Sequence, residues 1–187
     1  MKIIFAQGNP EPTYQNTRHN LGFAVLDAFA VKSAVTFTAS KKFHADIAEL
    51  QIPNEKILLV KPTTFYNETG NSARALVDFY KLDTGDLLVL HDELSLPFGT
   101  IKTRFDGSDA GNNGIKSLNT HIGPNYARIR LGIYNSLRDQ MNDADFVLGK
   151  FSKVEREALP RITEQAHAFI SDFIHGTLVP TRISLPL

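Results

Sequence analysis

The chain has 187 residues, of which 42% are hydrophobic, and this is enough to bury the core of one domain. Its 20 Lys and Arg balance 20 Asp and Glu, which excludes a global field that attracts polyanions, so any nucleic-acid contact requires a local basic patch. The absence of cysteine excludes disulfides, a thiol nucleophile and every cysteine-based zinc site.

Three continuous apolar runs predict strands that are covered by helices on both faces. These runs are Lys2–Ala6, Ile57–Val60 and Leu87–Leu90. Three further segments alternate between apolar and polar residues, which indicates outer strands of the same sheet. These segments are His44–Leu50, Thr100–Arg104 and Ala127–Ile133.

Apolar residues at helical spacing lie between these strands. They predict helices over Leu21–Val31, over Ser72–Tyr80 and over a shorter segment after Asn113. Strands that alternate with helices indicate an α/β fold. We therefore expect a single domain over residues 1–187, with a mostly parallel, mixed, twisted sheet flanked by helices on both faces.

A last helix is predicted near the C-terminus. Ser152 and Glu155 have the spacing of a capping box, and Gly176 is placed to end the helix. Pro160 is expected to kink or restart it, because proline lacks a backbone donor. We expect this C-terminal helix to pack near the cleft, either beside the open edge of the sheet or over the cleft itself.

Segments that could enter or cross a membrane are not evident in the sequence. The longest apolar runs are far shorter than the roughly 18 residues that a membrane span needs. The apolar part of the N-terminus is too short for a signal peptide. We expect a soluble, cytoplasmic protein without a membrane partner.

Clusters of Asn, His and Asp follow the predicted strands. The polar residues of interest in these clusters are Asn9, His19, Asn67, Asp92 and Asn113. The carboxyl ends of neighbouring parallel strands lie side by side, and ligands bind in the crevice outside that edge. We therefore expect these residues, although distant in sequence, to share one pocket.

His19 and Asp92 are the components of a water-activating dyad. Imidazole is the side chain that titrates nearest neutral pH, and a carboxylate on its other nitrogen fixes the tautomer and stabilises the imidazolium. The sequence has no Gly-x-Ser-x-Gly turn and no cysteine, so a covalent acyl intermediate has no evident host. Water is therefore the expected nucleophile.

The three Asn side chains each offer a donor and an acceptor on a short stem. Asn9, Asn67 and Asn113 can grip peptide-like groups or direct donors at a developing oxyanion. Turn formation is the alternative role, most clearly at Asn113, which precedes Gly114. Asp92 can likewise serve as a turn or cap residue after a strand.

A metal site is the competing chemical interpretation of these clusters. His19, His91, Asp92 and Glu93 are suitable ligands, but neighbouring strand residues point to opposite faces, so only part of this set can face one ion. No His-x-x-x-His or His-Glu-x-x-His spacing occurs. We predict no metal and no cofactor.

The predicted strands Thr100–Arg104 and Ala127–Ile133 carry a candidate basic patch. Lys102 and Arg104 share one face of a strand because they are two residues apart, and the same holds for Arg128 and Arg130. Lys116 adds a further cation. The alternative is a solvated outer face. If the patch contacts nucleic acid, it gives salt-dependent binding without base specificity.

A set of short motifs stands in one recognisable order along the chain. They are Gly8–Pro10, Tyr14, Asn16–Asn20, Lys61–Asn67, His91–Gly99, Gly111–Lys116, Arg128–Ile133 and Phe146–Phe151. In this order the chain resembles the bacterial-type peptidyl-tRNA hydrolases over nearly its whole length. The resemblance implies a carboxylic ester hydrolase of translation. Such an enzyme cleaves the ester between a peptide and the terminal ribose of tRNA and releases both for reuse.

The resemblance also implies roles for individual residues. His19 would be the general base, Asp92 its orienting carboxylate, and Asn113 a catalytic residue that holds substrate or water. Asn9 and Asn67 would grip the peptide backbone next to the ester, which favours blocked over free aminoacyl ends.

The remaining implied roles concern the tRNA. Tyr14 and Tyr66 would line the pocket near the acceptor end. Lys102, Arg104 and Arg130 would meet tRNA phosphates. The expected partner is peptidyl-tRNA, bound through its acceptor stem and its peptide by a monomeric enzyme.

The chain departs from the usual family pattern at several positions. Ala6 and Glu11 stand where glycines are usual, Asn112 stands where His is usual, and Tyr66 occupies a place that is often Met. We expect none of these departures to touch the proposed base or its carboxylate partner.

Two other functions remain open from the sequence. One is a non-catalytic RNA-binding protein of the same fold, similar to the plastid splicing factors. The retention of His19, Asp92 and the three Asn argues against it, because binding alone does not require a poised base. The other is a hydrolase of small acylated amines or peptides that does not bind RNA.

Overall fold

The structure is a computed structural model and describes residues 1–186. One sheet of eight strands forms its centre. The strands are β1 (Lys2–Ala6), β2 (Thr38–Ser40), β3 (Ala45–Ile52), β4 (Glu55–Pro62), β5 (Leu87–Pro97), β6 (Thr100–Arg104), β7 (Ala127–Tyr134) and β8 (Arg182–Ser184). The helices are α1 (Leu21–Lys32), α2 (Gly70–Tyr80), α3 (Asn113–Ile122), α4 (Asp143–Leu148) and α5 (Lys153–His175).

The strand directions match the prediction of a mostly parallel, mixed sheet. In the spatial order β2-β3-β4-β1-β5-β7-β6-β8, the central strands β4, β1, β5 and β7 pair in parallel. β3 and β6 run antiparallel to both of their neighbours, so six of the eight strands point the same way. The predicted α/β class is confirmed.

Helices cover both faces of this sheet, as predicted. On one face, Leu26 of α1 and Phe169 of α5 belong to the same buried cluster as Ile4 and Leu90 of the central strands. Burial of each such side chain contributes about 1.5–3 kcal/mol to folding. The alternate side chains of the same strands, which include Phe5 and Val89, face the other core.

The second core lies under α2 and α3. Leu76 of α2 and Leu118 of α3 are buried with Phe5 and Val89. Because successive strand residues alternate between faces, the continuous apolar runs of β1, β4 and β5 supply both cores at once.

The prediction of outer strands was wrong for all three alternating segments, because each is paired on both sides. β3 lies between β2 and β4, and β6 lies between β7 and β8. β7 lies between β5 and β6. Its alternating pattern arises because Arg128 and Arg130 extend along one face of the sheet while Ile129 and Leu131 enter the core. The short elements β2, β8 and α4 were not predicted.

The C-terminal helix is continuous from Lys153 to His175 and includes Pro160 without interruption. The capping box of Ser152 and Glu155 is confirmed, and Gly176 ends the helix in the left-handed conformation with φ 74°. The helix packs on the sheet face beside α1. Within residues 1–186, every helix is too short or too polar to cross a lipid bilayer.

Candidate active site

A cleft opens where neighbouring parallel strands end at different heights. β1 stops at Ala6, which is opposite Leu90, whereas β5 continues to Pro97. Asp92 therefore lies just beyond the end of β1, at the carboxyl edge where α/β sheets bind ligands. The cleft has a volume of about 1140 Å³. The predicted residues that line it are Asn9, Tyr14, His19, Tyr66, Asn67, Asp92 and Asn113.

His19 and Asp92 form the predicted hydrogen bond across this edge. The Nδ1 atom of His19 lies 2.9 Å from Oδ2 of Asp92. The His19 side chain is 17% exposed and the Asp92 side chain 2%, so the carboxylate is shielded while the imidazole reaches the cleft. With Nδ1 bound to the carboxylate, Nε2 is the nitrogen left to accept a proton.

Arg18 anchors the short 3₁₀ helix that carries His19. Its guanidinium forms a 2.9 Å ion pair with Glu155 at the start of α5 and lies 4.5 Å from the centre of the Phe146 ring. Arg18 and Glu155 are both buried, and Glu155 also accepts from the side chain of Asn135. The C-terminal helix thus helps to hold the segment that carries His19, whereas the cleft is lined by other segments of residues 1–186.

Tyr66 contacts both members of the dyad. Its hydroxyl donates to Oδ1 of Asp92 at 2.6 Å, and its ring stacks on His19 with a centroid distance of 3.5 Å and an interplanar angle of 15°. The Nδ2 atom of Asn112 donates to the Tyr66 hydroxyl at 3.0 Å. The expectation that the departures from the family pattern avoid the dyad was therefore wrong for Tyr66, and Asn112 also contacts the carboxylate residue, at its backbone carbonyl.

The environment of Tyr66 keeps its hydroxyl protonated. Burial raises the pKa of Tyr66 well above its ordinary value, and the negative charge of Asp92 raises it further. The hydroxyl therefore remains a donor to the carboxylate throughout the neutral range.

Asn9 is held in one orientation by two neighbours. Its Oδ1 accepts from the backbone N–H of Tyr66 at 2.8 Å. Asn20 donates from its side chain to the Asn9 carbonyl and accepts from the Asn9 N–H, both at 2.9 Å. The amide NH₂ of Asn9 is consequently the group left for a ligand in the cleft.

Asn67 and Asn113 also line the cleft, and both are exposed. Among residues 1–186, neither side chain makes a hydrogen bond. The neighbouring Asn112 caps α3 by accepting from the N–H of Ile115 at 3.0 Å, which leaves Asn113 at the first helical position. Both amide groups are therefore available to a substrate.

Four of the predicted basic residues lie on one face of the sheet, whereas Lys116 lies on α3 and lines the cleft. Lys102 is directly opposite Arg130, and Arg104 is opposite Arg128. Lys102 is also opposite Arg182 of β8, which extends the row by a cation that the sequence reasoning missed. The sequence does not predict β8, because three residues are too few to show the periodicity of a strand.

The cations in this row differ in how far they are neutralised. Arg130 forms a 2.8 Å ion pair with Glu93, and Arg104 lies 3.7 Å from Asp106. In residues 1–186, Lys102 forms no ion pair. Within these residues Arg182, which is exposed, forms no ion pair either, so Lys102 and Arg182 are the members of the row whose charge is not shared with a carboxylate.

Arg128 has a structural role instead. Its buried guanidinium donates to the carbonyls of Gly107 and Ser108 at 2.6 and 2.8 Å. It therefore fixes the loop between β6 and α3. This removes Arg128 from the basic surface that the sequence predicted.

Glu93 and His91 lie beside the dyad on β5. Burial raises the pKa of the Glu93 carboxyl, but His91, Ser95 and Arg130 outweigh this effect and leave its pKa below the usual range. Burial also lowers the pKa of His91, whose Nδ1 bonds to the Asp92 carbonyl at 2.8 Å. Among the described residues, no group of three or more His, Asp and Glu side chains is arranged to hold a metal ion.

The comparisons with known proteins agree with this geometry. A family model described as peptidyl-tRNA hydrolase matches residues 3–182. The chain belongs to the peptidyl-tRNA hydrolase family. A relative from Leuconostoc mesenteroides, named peptidyl-tRNA hydrolase, is 40% identical over 181 residues, which cover 96% of each chain. A relative of the same name from Campylobacter curvus is 43% identical over 95% of this chain and 92% of its own.

The solved structures give the same result for the fold. A crystal structure of peptidyl-tRNA hydrolase from Acinetobacter baumannii superposes with a TM-score of 0.85 at 30% identity, covering 94% of this chain and 89% of that one. The residues that the sequence reasoning missed in this member of the peptidyl-tRNA hydrolase family are the supports of the site. Arg18, Asn20 and Asn112 hold residues that line the cleft, and only the fold brings them into contact.

Proposed function

We propose that the cleft is the active site of this peptidyl-tRNA hydrolase family member and that His19 activates the attacking water. The chain hydrolyses the ester between peptide and tRNA and releases free tRNA and peptide, as its family membership indicates. The observation that carries the site assignment is the 2.9 Å hydrogen bond between His19 and the buried Asp92 in a cleft lined by four Asn side chains.

The reaction proceeds by attack of water on the ester carbonyl. The Nε2 atom of His19 takes a proton from water as the water oxygen bonds to the carbonyl carbon, which gives a tetrahedral oxyanion. Collapse of this species expels the ribose oxygen, which takes the proton from the imidazolium. The products are free tRNA and the peptide carboxylic acid, which loses its proton to solvent, and His19 returns to its neutral form.

Asp92 and the exposed amides assist different parts of this reaction. Asp92 fixes the tautomer with the proton on Nδ1 and stabilises the imidazolium. A positioned base contributes about 10²- to 10⁴-fold in rate. Asn113 holds the water or directs a donor at the oxyanion, and one such donor contributes about 10²- to 10³-fold.

Asn9 and Asn67 bind the first peptide bond of the substrate. The NH₂ of Asn9 is oriented by Tyr66 and Asn20, so it donates to a carbonyl at a defined position. Asn67 offers both a donor and an acceptor from the exposed side. A free aminoacyl ester lacks this peptide bond and carries a charged amine instead. The site thereby prefers blocked esters.

The tRNA is bound through a few phosphates of its acceptor stem. Lys102, Arg104 and Arg130 supply the contacts from one face of β6 and β7, and Arg130 shares its charge with Glu93. Tyr14 lines the cleft beside the acceptor end. We further infer that the enzyme acts as a monomer, because these groups all lie on one chain.

The test is incubation of the protein with N-acetylated and free aminoacyl-tRNA in parallel. We expect rapid cleavage of the acetylated form and little cleavage of the free form. Equal cleavage of both forms would contradict the role of Asn9 and Asn67.

The same experiment separates the alternative functions. Salt-dependent binding of tRNA without cleavage would identify a non-catalytic RNA-binding protein. Cleavage of small N-acylated esters, with an affinity that does not depend on salt concentration, would identify a hydrolase without an RNA substrate. The retained dyad argues against the first outcome, and the basic row formed by Lys102, Arg104, Arg130 and Arg182 argues against the second.

A further inference from the structure

Tyr66 is tied to the dyad more closely than to the open cleft. Only 3% of the residue is exposed, although it lies in the cleft wall. Its hydroxyl donates to one carboxylate oxygen of Asp92, and His19 donates to the other. Its ring lies flat against the imidazole. A residue with so little accessible surface has little to offer a substrate directly.

The position of Tyr66 is set from several directions. Asn9 accepts from its backbone N–H, and Asn112 donates to its hydroxyl. The start of α3 packs so closely on the ring that a Cβ at Gly114 would overlap it. These contacts leave the ring little freedom to rotate, so the carboxylate and imidazole that it touches are also held in place.

The hydroxyl of Tyr66 changes how Asp92 acts on His19. A hydrogen bond to an ionised carboxylate stabilises that charge and is stronger than a bond between neutral groups. The hydrogen bond from Tyr66 already stabilises part of the negative charge of Asp92. The carboxylate therefore stabilises the imidazolium of His19 less than it would without this bond. Removal of the hydroxyl should therefore favour protonated His19, which cannot act as a base.

We propose that Tyr66, held by Asn112, is a positioning residue that fixes the ring plane of His19 and the carboxylate of Asp92 and thereby sets the acid limit of hydrolysis. This role rests on the proposed function of His19 as the base. Tyr66 and Asn112 act as one unit, because the amide of Asn112 both caps α3 and directs the Tyr66 hydroxyl.

The first test is Tyr66→Phe, which removes the hydroxyl and keeps the stacked ring. We expect kcat on N-acetylated aminoacyl-tRNA to fall about tenfold, the effect of losing one hydrogen bond to a charged group. KM should stay within about twofold, because the bond does not involve the substrate. The acid limb of kcat/KM should move to higher pH.

The matched control is Tyr134→Phe. Tyr134 also donates its hydroxyl to a carboxylate, that of Asp139 at 2.8 Å, but it does not line the cleft. We expect this control to keep the kcat and pH profile of the unmodified protein. The other titratable or charged side chains that line the cleft and could shift the limb are Tyr14, Glu93, Lys116, His121, Arg138 and Asp143. Both variants retain them.

The second test is a cycle of Tyr66→Met, Asn112→His and the double variant. A longer imidazole at position 112 would meet the Tyr66 hydroxyl, whereas flexible Met leaves room for it. We expect each single change to lower kcat. The kcat of the double variant should be higher, by about threefold or more, than the value obtained by multiplying the two single effects. Strictly multiplicative effects would overturn the claim that the two residues act as one unit.

A measurement without substrate separates this inference from the proposed function. The imidazole titration of His19 can be followed by NMR in the unmodified protein and in Tyr66→Phe, with the resonance identified by its loss in His19→Gln. We expect the titration midpoint to move to higher pH in Tyr66→Phe. If the unmodified protein fails to cleave the acetylated tRNA, the proposed function is wrong, and the NMR shift still decides the role of Tyr66. An unshifted midpoint, or a kinetic effect confined to KM, would refute that role.

Discussion

Two sets of residues that line the cleft differ in how much of their polar chemistry is satisfied before a substrate arrives. His19, Asp92, Tyr66 and Asn112, here called the first wall, are joined by hydrogen bonds of 2.6 to 3.0 Å. Asn67, Asn113 and Lys116, here called the second wall, are exposed.

This difference assigns a separate kinetic role to each wall. Groups that are already oriented cost little reorganisation when charge develops in the transition state, so they act on kcat. Exposed groups become ordered only when a substrate engages them, and part of their interaction energy is spent on that ordering. Changes on the first wall should therefore lower kcat, whereas changes on the second should raise KM.

The largest effect is expected from Asp92→Asn. An amide at this position can donate to Nδ1 of His19, which places the imidazole proton on the wrong nitrogen. We expect kcat to fall about 10⁴-fold while tRNA affinity is retained. Single-turnover cleavage and a filter-binding measurement check both parts. A loss of affinity with normal kcat would reverse the roles of the two walls.

A change beneath the first wall should affect stability. Glu155→Gln leaves the buried guanidinium of Arg18 without its charge partner, and loss of one partner of a buried pair costs about 3 kcal/mol. Denaturant unfolding measures the difference. The matched control is Glu49→Gln, which breaks an exposed pair with Lys56 and should cost less than about 1 kcal/mol. Equal losses in the two variants would show that Arg18 is not held as described.

The second wall is tested by Asn67→Ala and Asn113→Ala. We expect Asn67→Ala to raise KM about tenfold with little change in kcat, because it removes binding that ground state and transition state share. Asn113→Ala should lower kcat as well, since this residue also meets the water or the oxyanion. Steady-state kinetics on acetylated aminoacyl-tRNA distinguishes the two patterns. A fall in kcat alone for Asn67→Ala would place that residue with the first wall.

A smaller effect is expected farther from the cleft. Lys102→Ala should weaken tRNA binding a few-fold and reduce the slope of log affinity against log salt by about one. Lys41→Ala is the control, because Lys41 is equally a surface cation but lies next to β2 at the opposite edge of the sheet. If both variants change the slope alike, the basic face formed by β6, β7 and β8 is not the tRNA surface.

The smallest expected effect is on the pH dependence of kcat, which should not change at alkaline pH. Burial and Asp92 raise the pKa of Tyr66 above its ordinary value near 10, so the hydroxyl keeps its proton as the pH rises. We expect kcat to stay level between about pH 8 and 9.5 after subtraction of uncatalysed ester hydrolysis. A decline of kcat in that interval, present in the unmodified protein and absent in Tyr66→Phe, would mean that Tyr66 loses its proton within that interval.

The sequence was sufficient to predict the central architecture and several of the residues that line the cleft. Continuous apolar runs marked β1, β4 and β5 because both faces of these strands are buried. The polar residues that follow such runs meet at one edge as a direct consequence of parallel pairing. For this reason His19 and Asp92, distant in sequence, could be placed together in advance.

Other features depend on contacts that have no local pattern. The three residues of β8 are too few to show periodicity, and the burial of Arg128 depends on loop carbonyls that only the fold brings near. The bond between Tyr66 and Asp92 joins side chains from different segments in the same way. The alternation of β7 predicts an outer strand, although arginines on one face of a strand that is paired on both sides produce the same pattern.

The most direct test of the central claim is the rate of His19→Ala. We expect hydrolysis of acetylated aminoacyl-tRNA to fall about 10²-fold or more, the contribution of a positioned base, while tRNA affinity and folding stay unchanged. A variant that binds tRNA normally and cleaves it at the unmodified rate would show that His19 is not the base, and the assignment of the dyad would have to be abandoned.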